Sequence, residues 1–208
     1  DDEVRGTLQI AVPSDLGRNL LLNVFRRFRE RHPALRLRIL FSDHLTDVFK
    51  DPVDVAFRYG ENHDASFVSL PVAPDNRRVV VASPDWIARH GEPQTPTDLQ
   101  HHACLVYGHW SAGSACRWRF EKQGEMFEVK PSGRFRANDW KALMNAAIAG
   151  HGITLGPEDV LKTEVERGSL VQVLAGFSGP ARPMHILVPA GRRRTTKIKC
   201  FVDALRAA

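Results

Sequence analysis

Residues Arg136–Pro157, RANDWKALMNAAIAGHGITLGP, read as a helix, a glycine stop and a buried strand in direct succession. Trp140, Leu143, Met144, Ala147 and Ile148 recur at i, i+3, i+4, i+7 and i+8, which puts them on one apolar helix face. Asn138 stands where an N-cap belongs: its side-chain oxygen can accept from an amide two or three residues on, and Asp139 adds negative charge in the positive first turn. Gly150 supplies the left-handed conformation that ends a helix, Ile153-Thr154-Leu155 continue as a strand, and Pro157 can open the next helix. A helix that feeds straight into an apolar strand is the connection of an α/β sheet.

The same alternation extends outward. Leu8, Ile10 and Val12 mark one strand face, Leu20, Leu21, Val24, Phe25 and Phe28 a helix, and Leu35, Leu37, Ile39 and Phe41 a second strand. Parallel strands need such a crossover, so the unit predicts an open parallel sheet covered by helices. Val53, Val55 and Phe57 supply a third strand after the break at Asp51-Pro52. The pattern restarts near residue 79, with a strand over Val79–Ala82, a helix over Pro84–His90, and strands at Leu105–Tyr107, Trp118–Phe120 and Met126–Val129. Two similar sheets are therefore expected. A last strand, Met184–Val188, and a helix carrying Ile198, Phe201, Val202 and Leu205 follow the extended connection at Pro180 and Pro183.

Composition narrows the class. The 208 residues are 43% hydrophobic and 25% charged, ordinary for a globular protein of one large or two smaller domains. No run of about 18 apolar residues exists and the first residues, Asp1-Asp2-Glu3, carry no hydrophobic signal region, so no membrane span or export is expected. Three unclustered cysteines, Cys104, Cys116 and Cys200, fit a reducing, cytoplasmic setting better than a disulfide scaffold. A net charge of +5 suits nucleic acid in principle. The arginines are dispersed, though: Arg26, Arg27, Arg29 and Arg31 lie on one helix, and Arg192-Arg193-Arg194 with Lys197 and Lys199 flank another. They read as solvated faces, and direct DNA contact by these residues is not expected.

Gly6–Pro13 (GTLQIAVP), Phe28–Pro33 (FRERHP), Asp54–Gly60 (DVAFRYG), Val80–His90 (VVASPDWIARH), Thr95–Leu105 (TPTDLQHHACL) and the capped helix with its A-G-x-G-I turn stand in a characteristic order. That ordered set resembles the effector-binding domain of LysR-type transcriptional regulators over nearly the whole chain. The resemblance implies two Rossmann-like α/β lobes joined by a two-strand hinge, of the type 2 periplasmic-binding-protein-like kind. Lobe I would comprise residues 1–78 and 184–208 and lobe II residues 79–183. It further implies an N-terminal winged helix-turn-helix and linker helix before Asp1, through which alone DNA would be bound. Dimers or tetramers would form by packing the lobe I helix over 18–31, with Leu21, Phe25 and Phe28, against lobe II of another copy.

Ligands of open parallel sheets bind at the carboxyl ends of strands. Ser14 and Asp15, after the first strand, offer a hydroxyl and free amides to a small anion, although Ser14 also suits the cap of its own helix. Ser42 and Asp43 follow the second strand and Arg58 the third; Arg58 can grip an anion bidentately or form a structural bridge to Asp43 or Glu61. Tyr107, Gly108, His109 and Trp110, with Asn138 and Asp139, hold the equivalent positions in the second lobe. The resemblance implies that these loops meet at a cleft holding a small effector, often a carboxylate.

Rival readings find less in the residues. Gly150-His151-Gly152 lies between a helix and a following strand, the reverse of a phosphate loop, and no nucleophile elbow, P-loop or His-Glu-x-x-His helix occurs. No enzyme activity and no cofactor are expected. His101, His102 and Cys104 lack a fourth ligand at zinc spacing, so no metal is expected. Cys104 and Cys116 form a redox pair only if a thiol pKa is depressed, and nothing nearby predicts that. The alternative function on the same plan is a periplasmic solute-binding protein of a transporter; an enzyme resembling porphobilinogen deaminase is a third.

Overall fold

Strand pairing sorts the chain into two α/β units, one of residues 1–75 with 182–208 and one of residues 76–181. The computed structural model describes residues 4–13, 21–42, 53–60, 64–73, 77–108, 116–179, 181–192 and 195–206.

In the first unit the strands β1 (Gly6–Val12), β2 (Leu35–Phe41) and β3 (Val55–Tyr59) run parallel, β1 pairing with both others. The sequence predicts this much. The remainder of the sheet is antiparallel: a late strand, Met184–Pro189, inserts between β3 and β4 (Phe67–Ala73), giving a mixed five-stranded sheet. The parallel part is the strand-helix-strand unit read from sequence, and the antiparallel part is added by the late strand. β4 is a strand that the sequence pattern did not mark. Pro71 is accommodated because β4 is the sheet edge, where a missing amide costs no second ladder.

Helix α1 (Leu21–Arg31) and the C-terminal helix Thr196–Arg206 cover one face of this sheet. Leu8, Ile10, Val12, Val55 and Phe57 alternate inward and meet Phe25, Phe28 and Phe201. Phe201 stacks on Phe25 with centroids 6.1 Å apart and meets Phe28 edge-on at 5.2 Å. This aromatic trio consumes the apolar stripe of α1, in keeping with the amphipathic pattern of that helix.

The second unit has strand order Val171–Val173, β5 (Arg78–Ala82), Ile153–Pro157, β6 (Cys104–Tyr107), Phe135–Ala137. The last three are mutually parallel, whereas β5 is antiparallel to both its neighbours. Strands β7 (Trp118–Lys122) and β8 (Glu125–Val129) form a separate hairpin, turned by Gln123 and Gly124 at φ 52° and 83°. In chain order the two late strands of this sheet and the strand Phe135–Ala137 are β9 (135–137), β10 (153–157) and β11 (171–173), and Met184–Pro189 is β12.

Both faces of the second sheet are buried. Val80, Ala82, Cys104, Val106, Ile153 and Leu155 pack with Trp86, Leu99, Trp118 and Phe120, while Val79, Val81 and Leu105 pack with Leu143, Met144, Ala147 and Leu161. Helix α2 (Pro84–His90) is capped by Ser83, whose Oγ accepts from the Trp86 amide at 3.2 Å. Helices α3 (Trp140–Ile148) and α4 (Glu158–Glu166) flank β10, and Thr196–Arg206 is α5. Among the described residues no helix is long and apolar enough to cross a membrane.

Candidate functional site

Because β1, β2 and β3 are parallel, their carboxyl ends share one edge of the first sheet. Ser42 follows β2 there, is buried, and donates its amide to Val12 O at 3.0 Å, tying the ends of β1 and β2 together. Arg58 lies near the end of β3, 7% exposed, and its Nη1 donates to Ser42 O at 3.1 Å and to Phe57 O at 2.9 Å. The structure therefore brings Ser42 and Arg58 together. It also shows part of the guanidinium anchored on main-chain carbonyls, a clamp on the strand ends. Beyond Arg58, Gly60 adopts φ 85°, its amide donates to Pro183 O at 2.8 Å, and its carbonyl lies 3.0 Å from His185 Nδ1. Ser14, Asp15 and Asp43 lie outside the described residues.

In the second unit β6, β9 and β10 are parallel and end together in the same way. Tyr107 closes β6, and the Gly108 amide donates to Ala137 O at 3.0 Å, so the end of β6 is stitched to the residue before Asn138. Tyr107, Gly108, Asn138 and Asp139 are thereby gathered at one strand edge. His109 and Trp110 lie outside the described residues.

The cap of α3 is Asp139, not Asn138. Helical backbone begins at Trp140, so the residue directly before it, with φ −124° and ψ 117°, is the one positioned to cap; its Oδ1 accepts from the Ala142 amide at 2.8 Å. Asn138 stays exposed. Pro157 likewise occupies the cap position of α4 and closes β10, so the first helical residue is Glu158. Trp140 stacks on Tyr107 with ring planes 6° apart and centroids at 5.4 Å. Its six-membered ring occupies the space over Gly156, where an added Cβ would come within 2.7 Å. From sequence Gly156 is read only together with Gly150-His151-Gly152, as part of a turn that imitates a nucleotide loop; it lies inside β10, and the signal for that was a glycine inside an otherwise apolar strand.

Leu21, Phe25 and Phe28 are corrected as interface residues. They are 4%, 3% and 1% exposed and belong to the core of the first unit, because an amphipathic helix turns its large apolar stripe toward its own sheet. The outer side of α1 and the edge strand β2 instead border an open groove of about 800 Å³ lined by Leu22, Arg26, Arg29, Leu37 and Ile39 among others.

The thiol of Cys104 is buried, donates to Leu99 O at 3.3 Å, and is pushed up to about 12 by burial, the opposite of what a reactive thiolate needs. His102 is drawn below the ordinary imidazole value, chiefly by burial, with Asp98 opposing. Among the described residues no three His, Cys, Asp or Glu side chains gather as a metal site.

Mixed α/β sheets that each display polar residues at the ends of parallel strands define the two-lobed regulatory fold of the type 2 periplasmic-binding-protein-like class. The chain belongs to the LysR substrate binding domain family, whose model matches residues 1–208. It is 27% identical over 201 residues to the HTH-type transcriptional regulator PgrR of Escherichia coli (strain K12), covering 97% of this chain and 67% of that protein. The full-length Vibrio cholerae virulence activator AphB, a member of the LTTR protein family, matches with TM-score 0.83 and 27% identity over 98% of this chain and 68% of that one. CrgA, a LysR-type transcriptional regulator from Neisseria meningitidis, matches with TM-score 0.84 and 26% identity over 98% of this chain and 68% of that one. The chain thus spans about two thirds of the length of these relatives.

Proposed function

We propose that this chain is the effector-sensing part of a LysR-type DNA-binding regulator: it takes a small, anionic molecule between its lobes and converts occupancy into a change of oligomer geometry. The observation that carries the reading is the shared strand edge in each unit, with Ser42 and Arg58 hydrogen-bonded together in one and Tyr107, Gly108, Asn138 and Asp139 gathered in the other. Ser14, Asp15, Asp43, His109 and Trp110 complete the proposed ligand set. Arg58 supplies positive charge, and its main-chain clamp fixes the direction from which an anion is met.

A ligand that prefers one lobe arrangement a hundredfold shifts the balance by about 2.7 kcal/mol, enough to reset an evenly poised oligomer. We place the oligomer contact on the outer side of α1 and on β2, against the second lobe of another copy, in a dimer or tetramer. DNA is met by a helix-turn-helix outside these residues, and the setting is the cytoplasm. The test is a thermal-shift screen of small carboxylates on the parent and on Arg58→Met. A carboxylate that stabilises the parent and not the variant supports the reading. Equal stabilisation of both, or none with any acid, overturns the anion site.

A further inference from the structure

We infer that the effector carries two anionic groups, and that Arg182 reads the second of them while Arg58 meets the first. The inference rests on the effector-binding reading above and gives it a ligand class, the short organic dianions. Arg182 opens the segment that returns to the first unit, two residues before β12. The Gly60 amide donates to Pro183 O at 2.8 Å, so this segment is pinned to the end of β3. There the Arg182 guanidinium lies beside Gly60: a Cβ built on that glycine would stand 3.7 Å from Nη2 and 4.0 Å from Nε. Gly60 follows Arg58 by two residues, about 7 Å along a strand.

His185 belongs to the same strand end. It lies opposite Arg58 in the β3–β12 register, so the two project from one side of the sheet, and its Nδ1 is 3.0 Å from Gly60 O. A carbonyl only accepts, so Nδ1 is the donor. The two arginines differ in what they hold. Arg58 is buried and uses Nη1 on the carbonyls of Ser42 and Phe57. Arg182 is exposed, and among the described residues no carboxylate or carbonyl engages its guanidinium, so no structural ion pair accounts for its place. Two like charges at one strand end repel, and a ligand bearing two negative charges offsets that repulsion. A single carboxylate fills one guanidinium fork with its two oxygens, which leaves the other fork for a second anionic group. A short dicarboxylate and a phosphorylated acid both have that character.

The experiment measures, by isothermal titration, binding of succinate and glutarate against their monomethyl esters, and of phosphoglycolate against glycolate, to the 208-residue chain and to Arg182→Gln, Arg182→Lys and Arg58→Met. The expected result is a preference of about tenfold for the dianion in at least one pair on the parent. It falls to parity in Arg182→Gln, with affinity for the singly charged member unchanged, and persists in part in Arg182→Lys, which keeps the charge. Arg58→Met weakens both members. A preference within the succinate or glutarate pair identifies a dicarboxylate, and one within the phosphoglycolate pair alone a phosphorylated acid. Parity on the parent, with singly charged acids that bind through Arg58, overturns the role of Arg182 while leaving the effector reading intact. So does a dianion preference that Arg182→Gln leaves unchanged, or an equal loss of both members in that variant, which would mark a structural role. The absence of binding by any acid overturns both readings.

Discussion

Lys197 Nζ lies 2.7 Å from Asp54 Oδ2, and the same carboxylate oxygen accepts from the Gln9 amide at 3.0 Å. Lys197 also donates to Thr7 O at 2.7 Å, so one buried carboxylate ties the C-terminal helix to the strand that opens the chain. The Asp54 side chain is 4% exposed and that of Lys197 26%. Removing Asp54 takes a buried acceptor from both the Gln9 amide and Lys197, which keeps the Thr7 carbonyl, while removing Lys197 leaves a carboxylate that still holds an amide. Asp54→Ala is expected to cost about 2–4 kcal/mol and Lys197→Met about 1–2 kcal/mol, the pair being partly solvent-screened. Urea unfolding of both variants checks the order; a costlier Lys197→Met would refute this account.

The two sides of α1 predict opposite outcomes. Phe25→Ala empties space beside Phe201 and is expected to lower stability by about 3–5 kcal/mol without a surface effect. Leu22 is 52% exposed, so Leu22→Glu is expected to leave stability within about 0.5 kcal/mol of the parent. If the groove beside α1 is the oligomer contact, Leu22→Glu lowers the sedimenting mass at micromolar concentration. An unchanged oligomer would remove α1 from the interface.

Gly156→Ala forces a methyl to within 2.7 Å of Trp140 Cζ3 and 2.9 Å of Leu161 Cδ1. The expected cost is about 1–3 kcal/mol from overpacking. Because the strain is shared with one ring, Gly156→Ala combined with Trp140→Leu is expected to cost less than the sum of the two changes. A double-mutant cycle by thermal unfolding measures the coupling, and strict additivity would show that the ring does not press on β10.

Burial of Cys104 sets an alkaline limit on stability. Its thiol stays protonated in the fold up to about 12. In the unfolded chain a thiol ionises near 9, so between those values the unfolded state binds fewer protons and gains relative to the fold. The contribution is complete below pH 9 and is lost as pH rises toward 12. Cys104→Ala should therefore show a shallower fall in stability over that alkaline window than the parent. At neutral pH a thiol reagent is expected to modify Cys116, which is partly exposed, well before Cys104.

Much of the fold was legible in local pattern. Alternation placed β1, β2, β3, β5, β6 and β10, and helical spacing placed α1, α3 and α5, because an amphipathic segment declares its buried side in its own residues. Gly150, at φ 75°, ends α3 as its position after Ile148 requires. The pattern was silent on β4, whose Pro71 is tolerable only at an edge, and on the antiparallel entry of β12, since neither depends on the segment's own sequence. For the site, sequence marked the strand ends at Ser42, Arg58, Tyr107 and Asn138. It did not reveal that Arg58 is anchored on the Ser42 carbonyl or that Asp139 serves as cap.

By itself the sequence determined the family, most of the strands and helices in their order, and the strand ends where polar residues would be found, because periodicity and capping are written within a few neighbouring residues. Only the tertiary structure decided that Leu21, Phe25 and Phe28 are core, that Asp54 holds Lys197, and that Gly156 makes room for Trp140 against Tyr107. Those facts depend on which distant segments share a surface, and burial of apolar area against a partner far along the chain is a property of the packed sheet, not of any one stretch.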